Sequence, residues 1–249
     1  MLMDGLRWTR NKLTELLFPR RCPVCDEILE PECQQQKIHH KCLEKLHPVT
    51  GAVCMQCGRP LESRTAEYCY DCNRRHTQEK AAIRQGKALY LYQGDIKQTM
   101  YRFKYANRRE YAEFFAEYAV QKYGAWIRQK QIDVLVPVPM YQKKQRIRGY
   151  NQAESFAKAL SYLTGIPVDA GLVRRIKDTT PQKELDDIER KKNLKSAFQS
   201  CENIVQYKQI LVVDDIYTTG STAGAVAEEL MRMNSANIYF LSICIGKGM

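Results

Sequence analysis

From about residue 85 onward, apolar positions fall into blocks that alternate between strand and helix periods. "KALYLYQGDIKQ" opens with Leu89 and Leu91 alternating against Tyr90 and Tyr92, then meets a turn signal at Gly94-Asp95. Helical stretches follow, one of them through "REYAEFFAEYAVQKYGAWI". "IDVLVPVP" is an unbroken apolar run closed by prolines, the pattern of a parallel strand buried on both faces. "NQAESFAKALSYLTG" places Phe156, Ala159, Leu160 and Leu163 on one helical face, with Gly165 as its stop. "QILVVDDI" predicts a second buried strand and "NIYFLSICI" a third. The helix between them, "STAGAVAEELMRM", turns Val226, Leu230 and Met233 inward and Glu228, Glu229 and Arg232 outward. Strands alternating with helices predict a doubly wound α/β sheet, whose ligands sit where strand C-terminal ends meet the following loops.

Before residue 80 the pattern is different, because cysteines replace apolar periodicity. Leu6, Leu13, Leu16 and Leu17 fit a short amphipathic helix over residues 1–19 that ends at Pro19, either docked on the protein or lying on a membrane surface. The stretch has neither the charge-free apolar centre nor the cleavage site of a signal peptide. Eight of the ten cysteines then lie between Cys22 and Cys72, in the pairs Cys22/Cys25, Cys54/Cys57 and Cys69/Cys72, with Cys33 and Cys42 between them. A two-residue gap lets a tight knuckle aim both sulfurs at one tetrahedral ion.

Choosing His39 over His40 gives the same gap before Cys42. Two structural zinc sites are expected: Cys22, Cys25, His39 and Cys42 in one, and Cys54, Cys57, Cys69 and Cys72 in the other. The spacing also allows an interleaved cross-brace, and Cys33 is left over. A disulfide framework is the competing reading, but no export signal supports an oxidising compartment. Residues 20–80 are thus expected to fold around metal with little core of their own. His47 and His76 lack ligand-like spacing and are expected on the surface.

Charge adds a partner class. The net excess of 11 basic groups sits in the middle of the chain: +2 over residues 1–80, +6 over 81–130, +5 over 131–200 and −2 over 201–249. A basic middle suits a polyanion or a phosphate-rich ligand. No run of eighteen apolar residues exists, so no transmembrane segment is expected.

The most specific stretch is "ILVVDDIYTTGST". Read as strand, loop and helix start, it places Thr218, Thr219, Gly220, Ser221 and Thr222 where amides, hydroxyls and the helix dipole favour phosphate. Asp214 and Asp215 would repel that phosphate, so they suit sugar hydroxyls or a bridging cation. Together the parts describe a ribose 5-phosphate. The plainer reading is an acidic strand end followed by an ordinary Ser/Thr cap.

This stretch resembles the phosphoribosyl pyrophosphate (PRPP) loop of type I phosphoribosyltransferases. With "LLFPRRCPVC", "CMQCG", "YRFKYANRREYAEFFAEYA", "VPVPMYQKKQRIRGYNQAESFAKAL" and "TPQKELDDIERKKNLKSAF" in this order, the chain resembles the ComF family of late-competence proteins. That resemblance implies a double zinc ribbon over residues 20–80 and, over 81–249, a type I phosphoribosyltransferase-like α/β domain with a parallel sheet. It implies ribose contacts from Asp214 and Asp215, with the 5-phosphate on Thr218 to Thr222 and Mg²⁺ accompanying PRPP.

In the same family a loop after "VPVP" lies where a diphosphate would sit. Here that loop carries Arg146, Arg148, Gly149, Asn151 and Gln152. Independently, Lys143, Lys144, Arg146 and Arg148 suit a polyanion, or simply a solvated loop. Lys177, Gln182, Arg190 and Asn193 resemble the family's flap. Tyr101, Arg102, Phe103, Lys104 and Tyr105 resemble its "FKY" element. Basic-aromatic alternation also suits single-stranded DNA, and a packed helix or strand face equally explains the rings.

Three functions follow as expectations. One is a cytoplasmic ComF-like protein, in a peripheral position at the inner face of the membrane. It would receive single-stranded DNA from a competence helicase and carry a PRPP site. Another is an active phosphoribosyltransferase (a glycosyltransferase) with an unidentified acceptor. The third is an interaction scaffold with a relic site.

Overall fold

The computed structural model describes residues 19–76, 81–178, 196–201, 207–233 and 236–247. The expected N-terminal amphipathic helix, and Gln182, Arg190 and Asn193, lie outside them. Six strands are described: β1 (Ile83–Leu91), β2 (Val134–Pro137), β3 (Val173–Arg175), β4 (Phe198–Ser200), β5 (Gln209–Tyr217) and β6 (Asn237–Ile245). β1, β6, β5 and β2 form one parallel sheet in that order, and β3 with β4 form a separate antiparallel pair. The helices are α1 (His40–Leu43), α2 (Tyr70–His76), α3 (Ile96–Tyr105), α4 (Tyr111–Gln129), α5 (Gln142–Arg148), α6 (Gln152–Thr164) and α7 (Ser221–Met233).

Both faces of the parallel sheet are packed, which is why β2, β5 and β6 read as apolar runs. On one face, Phe103 of α3, Phe115 of α4 and Phe156 and Leu160 of α6 close over Leu211, Val213 and Leu241. On the other, Val226 and Leu230 of α7 and Val173 and Phe198 of the hairpin close over Ile210, Val212 and Phe240. The connection from β2 to β5 therefore starts on one face with α6 and changes to the other with β3 and β4, where α7 also packs. Such a change of face opens a crevice at the strand's C-terminal end.

The cysteine-rich segment is built into both cores. Cys22, Val24, Leu29, Cys33, Ile38, Cys42 and Leu46 join the α3/α4 face, and Val49, Cys54, Cys57, Cys69 and Cys72 join the α7 face. Between the two halves the chain passes along the outer edge of β1. Val49 N–H donates to the Leu89 carbonyl at 2.9 Å, and Leu91 N–H donates to the His47 carbonyl at 2.8 Å. This pairing covers an edge that would otherwise offer free backbone groups. It also explains why Leu89 and Tyr90 are both buried, where simple alternation predicts one in and one out. The segment thus shares its core with the sheet.

Two helix faces also differ from expectation. α6 buries Ala153, Phe156, Ala157 and Leu160, whereas Leu163 is 40% exposed. In α7, Glu229 points inward and is 7% exposed. Its carboxylate accepts the Ser200 backbone N–H at 3.1 Å and the Ser200 hydroxyl at 2.9 Å, and pairs with Arg232 at 2.7 Å. A buried carboxylate is tolerated when it caps otherwise orphaned donors in this way.

Candidate ribose-phosphate site and metal clusters

The knuckles bring the metal-ligand residues into two sets, Cys22/Cys25/His39/Cys42 and Cys54/Cys57/Cys69/Cys72, with the ligand atoms of each set within 4.8 Å of one another. Cys57 and Cys69 sulfurs are 3.6 Å apart. Tetrahedral zinc with Zn–S of about 2.3 Å puts neighbouring sulfurs about 3.8 Å apart, so the donor set fits that ion. His39 turns Nδ1 to the Cys25 sulfur at 3.2 Å and Nε2 to the Ile28 carbonyl at 3.2 Å. The outer hydrogen bond fixes the tautomer that leaves Nδ1 free for metal. Each set supplies four ligands, so an ion held there has a structural role. Cys33 is buried in the core and belongs to neither set. His47 is exposed.

At the C-terminal end of β5 the two aspartates meet a lysine. Lys104 Nζ, from the last turn of α3, lies 3.0 Å from Asp215 Oδ2, with both side chains largely buried. Burial works against the Lys104 charge, but Asp215 outweighs it and the ammonium pKa is raised. Asp214 accepts the Asp215 backbone N–H at 2.8 Å. Burial, and next the charge of Asp215, hold its carboxyl well above the usual range. Asp214 stands in register with Ser242 of β6, whose fully buried hydroxyl has no hydrogen-bond partner among the described residues.

Directly beyond, Thr218 and Thr219 are exposed, Gly220 has φ of 78°, and Ser221 opens α7. The Gly220 carbonyl accepts Gly224 N–H at 2.8 Å, so the loop enters the helix without a break. Thr219 and Ser221 hydroxyls bond each other at 2.8 Å. Positive φ at Gly220 lets the chain turn tightly into α7.

The basic residues separate into three groups. Arg148 stacks over Tyr105 at 4.8 Å and donates to its hydroxyl at 2.9 Å. Tyr101 and Tyr105 are each 58% exposed with ring centroids 5.1 Å apart. Lys143 and Arg146 lie exposed on α5, while Lys144 is paired with Asp178 at 2.6 Å. Lys177 donates to the Ser196 hydroxyl at 3.2 Å.

Other sequence candidates are engaged inside the fold. Phe103 is completely buried against Phe115 and Tyr150, so it has no face for a base. Arg102 donates to the Val24 carbonyl at 2.8 Å, binding α3 to the first knuckle. Asn151 is the N-cap of α6, accepting from Ala153 N–H at 3.1 Å and donating to the Val138 carbonyl at 3.0 Å. Gln152 is fully buried, donating to the Phe103 carbonyl at 3.3 Å and accepting from Arg148 at 3.3 Å. Asn151 and Gln152 therefore position the loop and do not offer their amides to a diphosphate. Gly149 ends α5 in the left-handed conformation.

Residues 13–73 match the family model of the double zinc ribbon domain. Over 84% of its length the chain is 28% identical to competence protein ComFC of Bacillus subtilis, covering 82% of that protein. It is 28% identical over 78% of its length to DNA utilization protein YhgH of Salmonella typhimurium, covering 84% of it. Over most of its length the chain is thus similar to competence and DNA utilization proteins. Competence protein F of Haemophilus influenzae is 36% identical over 43% of the chain and 47% of that protein. Among solved structures, a purine phosphoribosyltransferase from Pyrococcus horikoshii is 17% identical and covers 53% of this chain and 73% of that one. The TM-score of that match is 0.35.

Lys104, a nucleic-acid candidate in the sequence, stands instead beside Asp215. Its neighbours on both sides are aromatic, which reads as a nucleic-acid stripe. On a helix, however, adjacent residues point about 100° apart. Phe103 enters the core, Lys104 turns to the acids, and Tyr105 faces out. Among the described residues no helix is long and apolar enough to cross a membrane.

Proposed function

We propose that this chain binds a ribose 5-phosphate ligand of the PRPP type at the end of β5 and handles single-stranded DNA in natural transformation. The observation that carries the reading is Asp214 and Asp215, with Lys104 paired to Asp215, at the end of β5 just ahead of the Thr218–Thr222 loop that starts α7. The acids accept from ribose hydroxyls, the loop donates to the 5-phosphate, and Mg²⁺ accompanies the diphosphate. Two structural zinc ions held by Cys22/Cys25/His39/Cys42 and Cys54/Cys57/Cys69/Cys72 complete the fold. The exposed rings of Tyr101 and Tyr105, with Arg148 and the cations of α5, supply stacking and charge for a single strand, delivered by a competence helicase. A cytoplasmic position at the inner face of the membrane follows from that partner.

Transfer of the ribosyl group to an acceptor is the second reading. It is favoured by the intact acids and loop, since loss of diphosphate needs charge stabilisation more than an acid or base.

Calorimetry with PRPP and Mg²⁺, with and without an oligonucleotide, tests the proposal. Saturable heat lost in Asp214→Ala/Asp215→Ala supports it, as does oligonucleotide affinity that falls with salt. Absence of PRPP heat, or salt-indifferent DNA binding, overturns the corresponding half. Consumption of PRPP with any nucleobase in a panel would establish turnover.

A further inference from the structure

Arg59 lies in the second ribbon, directly after the Cys54–Cys57 knuckle, yet its side chain reaches the ends of two sheet strands. It is 4% exposed. Nε donates to the Gly246 carbonyl at 3.1 Å and Nη2 to the Thr218 carbonyl at 2.7 Å. Nη1 pairs with Asp71 and lies 3.8 Å from the Cys69 sulfur. A buried guanidinium is tolerated only when its charge and its fork of donors are met, and here carbonyls, a carboxylate and a sulfur meet them.

The backbone of the same residue belongs to the knuckle, because Cys54 N–H donates to the Arg59 carbonyl at 2.7 Å. The knuckle itself is pressed on β1. Gly58 has φ of 76°, and a Cβ there would stand 2.7 Å from the Gly86 carbonyl oxygen. A four-thiolate set is net negative even around Zn²⁺, so Arg59 also answers its charge.

We infer that Arg59 is a clamp through which the second metal-ligand cluster sets the conformation of the Thr218–Thr222 loop. The reason is peptide geometry. In a trans peptide the C=O of Thr218 and the N–H of Thr219 point in opposite directions. Holding the carbonyl on Arg59 therefore aims the Thr219 N–H away from the ribbon, toward the exposed side of the loop. That is the orientation an anion site needs. The Gly246 carbonyl is held by the same guanidinium, while Gly246 N–H donates to the Tyr217 carbonyl at 2.8 Å. The clamp thus spans the ends of β5 and β6. Arg59 is a positioning residue, and the integrity of the Cys54/Cys57/Cys69/Cys72 cluster becomes a condition for an ordered loop. Disruption of that cluster, by chelation or thiol oxidation, loosens the loop at a distance. The part of this inference that concerns ligand affinity rests on the ribose-phosphate reading; the part that concerns loop order does not.

The test compares the full-length chain with Arg59→Met and Arg59→Lys, by zinc content, backbone hydrogen exchange over residues 217–224, and calorimetry with PRPP and Mg²⁺. Arg59→Met keeps the aliphatic stem and removes every donor. Arg59→Lys keeps charge but cannot span Thr218, Gly246 and Asp71 together. The expected result is retained zinc, exchange at 217–224 faster by tenfold or more, and PRPP affinity at least tenfold weaker. Stripping zinc from the wild type is expected to speed exchange at 217–224, and to do so far less in the variant. If Arg59→Met does not fold, Arg59→Lys is judged by the same exchange criterion. Unchanged exchange over 217–224 in a folded, zinc-loaded variant overturns the clamp. Absence of PRPP heat in the wild type overturns the ribose-phosphate reading instead, and leaves the exchange comparison to decide the clamp.

Discussion

Replacing Lys104 by Met removes the cation that faces two adjacent acids at a strand end and keeps the aliphatic length that fills the space. Lys104 Nζ and Asp215 Oδ2 are 3.0 Å apart, with both side chains mostly shielded. At an effective dielectric constant of about 20, two unit charges at that distance attract by about 5.5 kcal/mol. Breaking a buried pair by removing one partner typically costs about 3–5 kcal/mol, because the surviving charge stays buried. A loss of about 3–5 kcal/mol at pH 8 is therefore expected.

Its pH dependence carries more information than its size. Asp214 already titrates above its ordinary value, so in the folded protein it binds its proton at higher pH than in the unfolded chain. Between the unfolded value near 3.8 and the raised folded value, stability falls as pH rises. Lys104 is one of the charges that lowers the Asp214 pKa, so the variant extends this window upward. Urea denaturation of both chains from pH 5 to pH 9 at constant zinc should show a difference that is greatest at high pH and shrinks toward pH 5. The zinc sites' own pH dependence is common to both chains and cancels. A difference that is flat with pH, or below about 1 kcal/mol at pH 8, would refute the pairing of Lys104 with the acids.

Tyr105→Ala should weaken single-stranded DNA binding by about 1–3 kcal/mol, the usual worth of one base–aromatic stack. Phe103→Leu should alter stability and leave DNA affinity unchanged; filter binding at fixed salt separates the two. Chelation of zinc should perturb near-ultraviolet circular dichroism from the aromatic core as well as order in the ribbons, since each cysteine set lies in one of the two sheet cores. Glu229→Ala should cost about 1–3 kcal/mol in thermal or urea unfolding by stranding the half-buried Ser200 donors, and Glu229→Gln should recover part of it.

The strands were legible because parallel strands covered on both faces must be apolar at nearly every position, as Ile210 to Val213 and Ile238 to Leu241 are. The metal-ligand sets were legible because local chain geometry dictates a two-residue gap within each pair. What escaped depended on partners distant in sequence. Glu229 reads as a solvent-facing helix residue until the hairpin strand holding Ser200 is placed beside it, 29 residues away. Asn151 and Gln152 have the same chemistry whether they serve a ligand or cap a helix, and only the carbonyls of Val138 and Phe103 decide between these. Lys104 and Asp215 are 111 positions apart, and no local pattern announces that they touch.

The division of the chain into ribbon and sheet also looks sharper in sequence than in space, for a physical reason. A segment rich in cysteine and poor in apolar periodicity cannot bury itself, so it is read as a unit organised by metal alone. A parallel sheet, in turn, needs its edges covered. Here each requirement answers the other. The ribbons lay Val49 and His47 against β1 and bury Tyr90, and the sheet lends its two cores to the two cysteine sets. Arg102 binds the first knuckle to the helix that carries Lys104, while Arg59 binds the second knuckle to Thr218. The acidic pair and the loop that follows it are each tied to a cysteine set by a short run of contacts: Lys104, which pairs with Asp215, lies two positions beyond Arg102, and Thr218 is itself gripped by Arg59. Metal binding and the shape of the strand-end site are on this account a single folding event, and a change in either should be felt by the other.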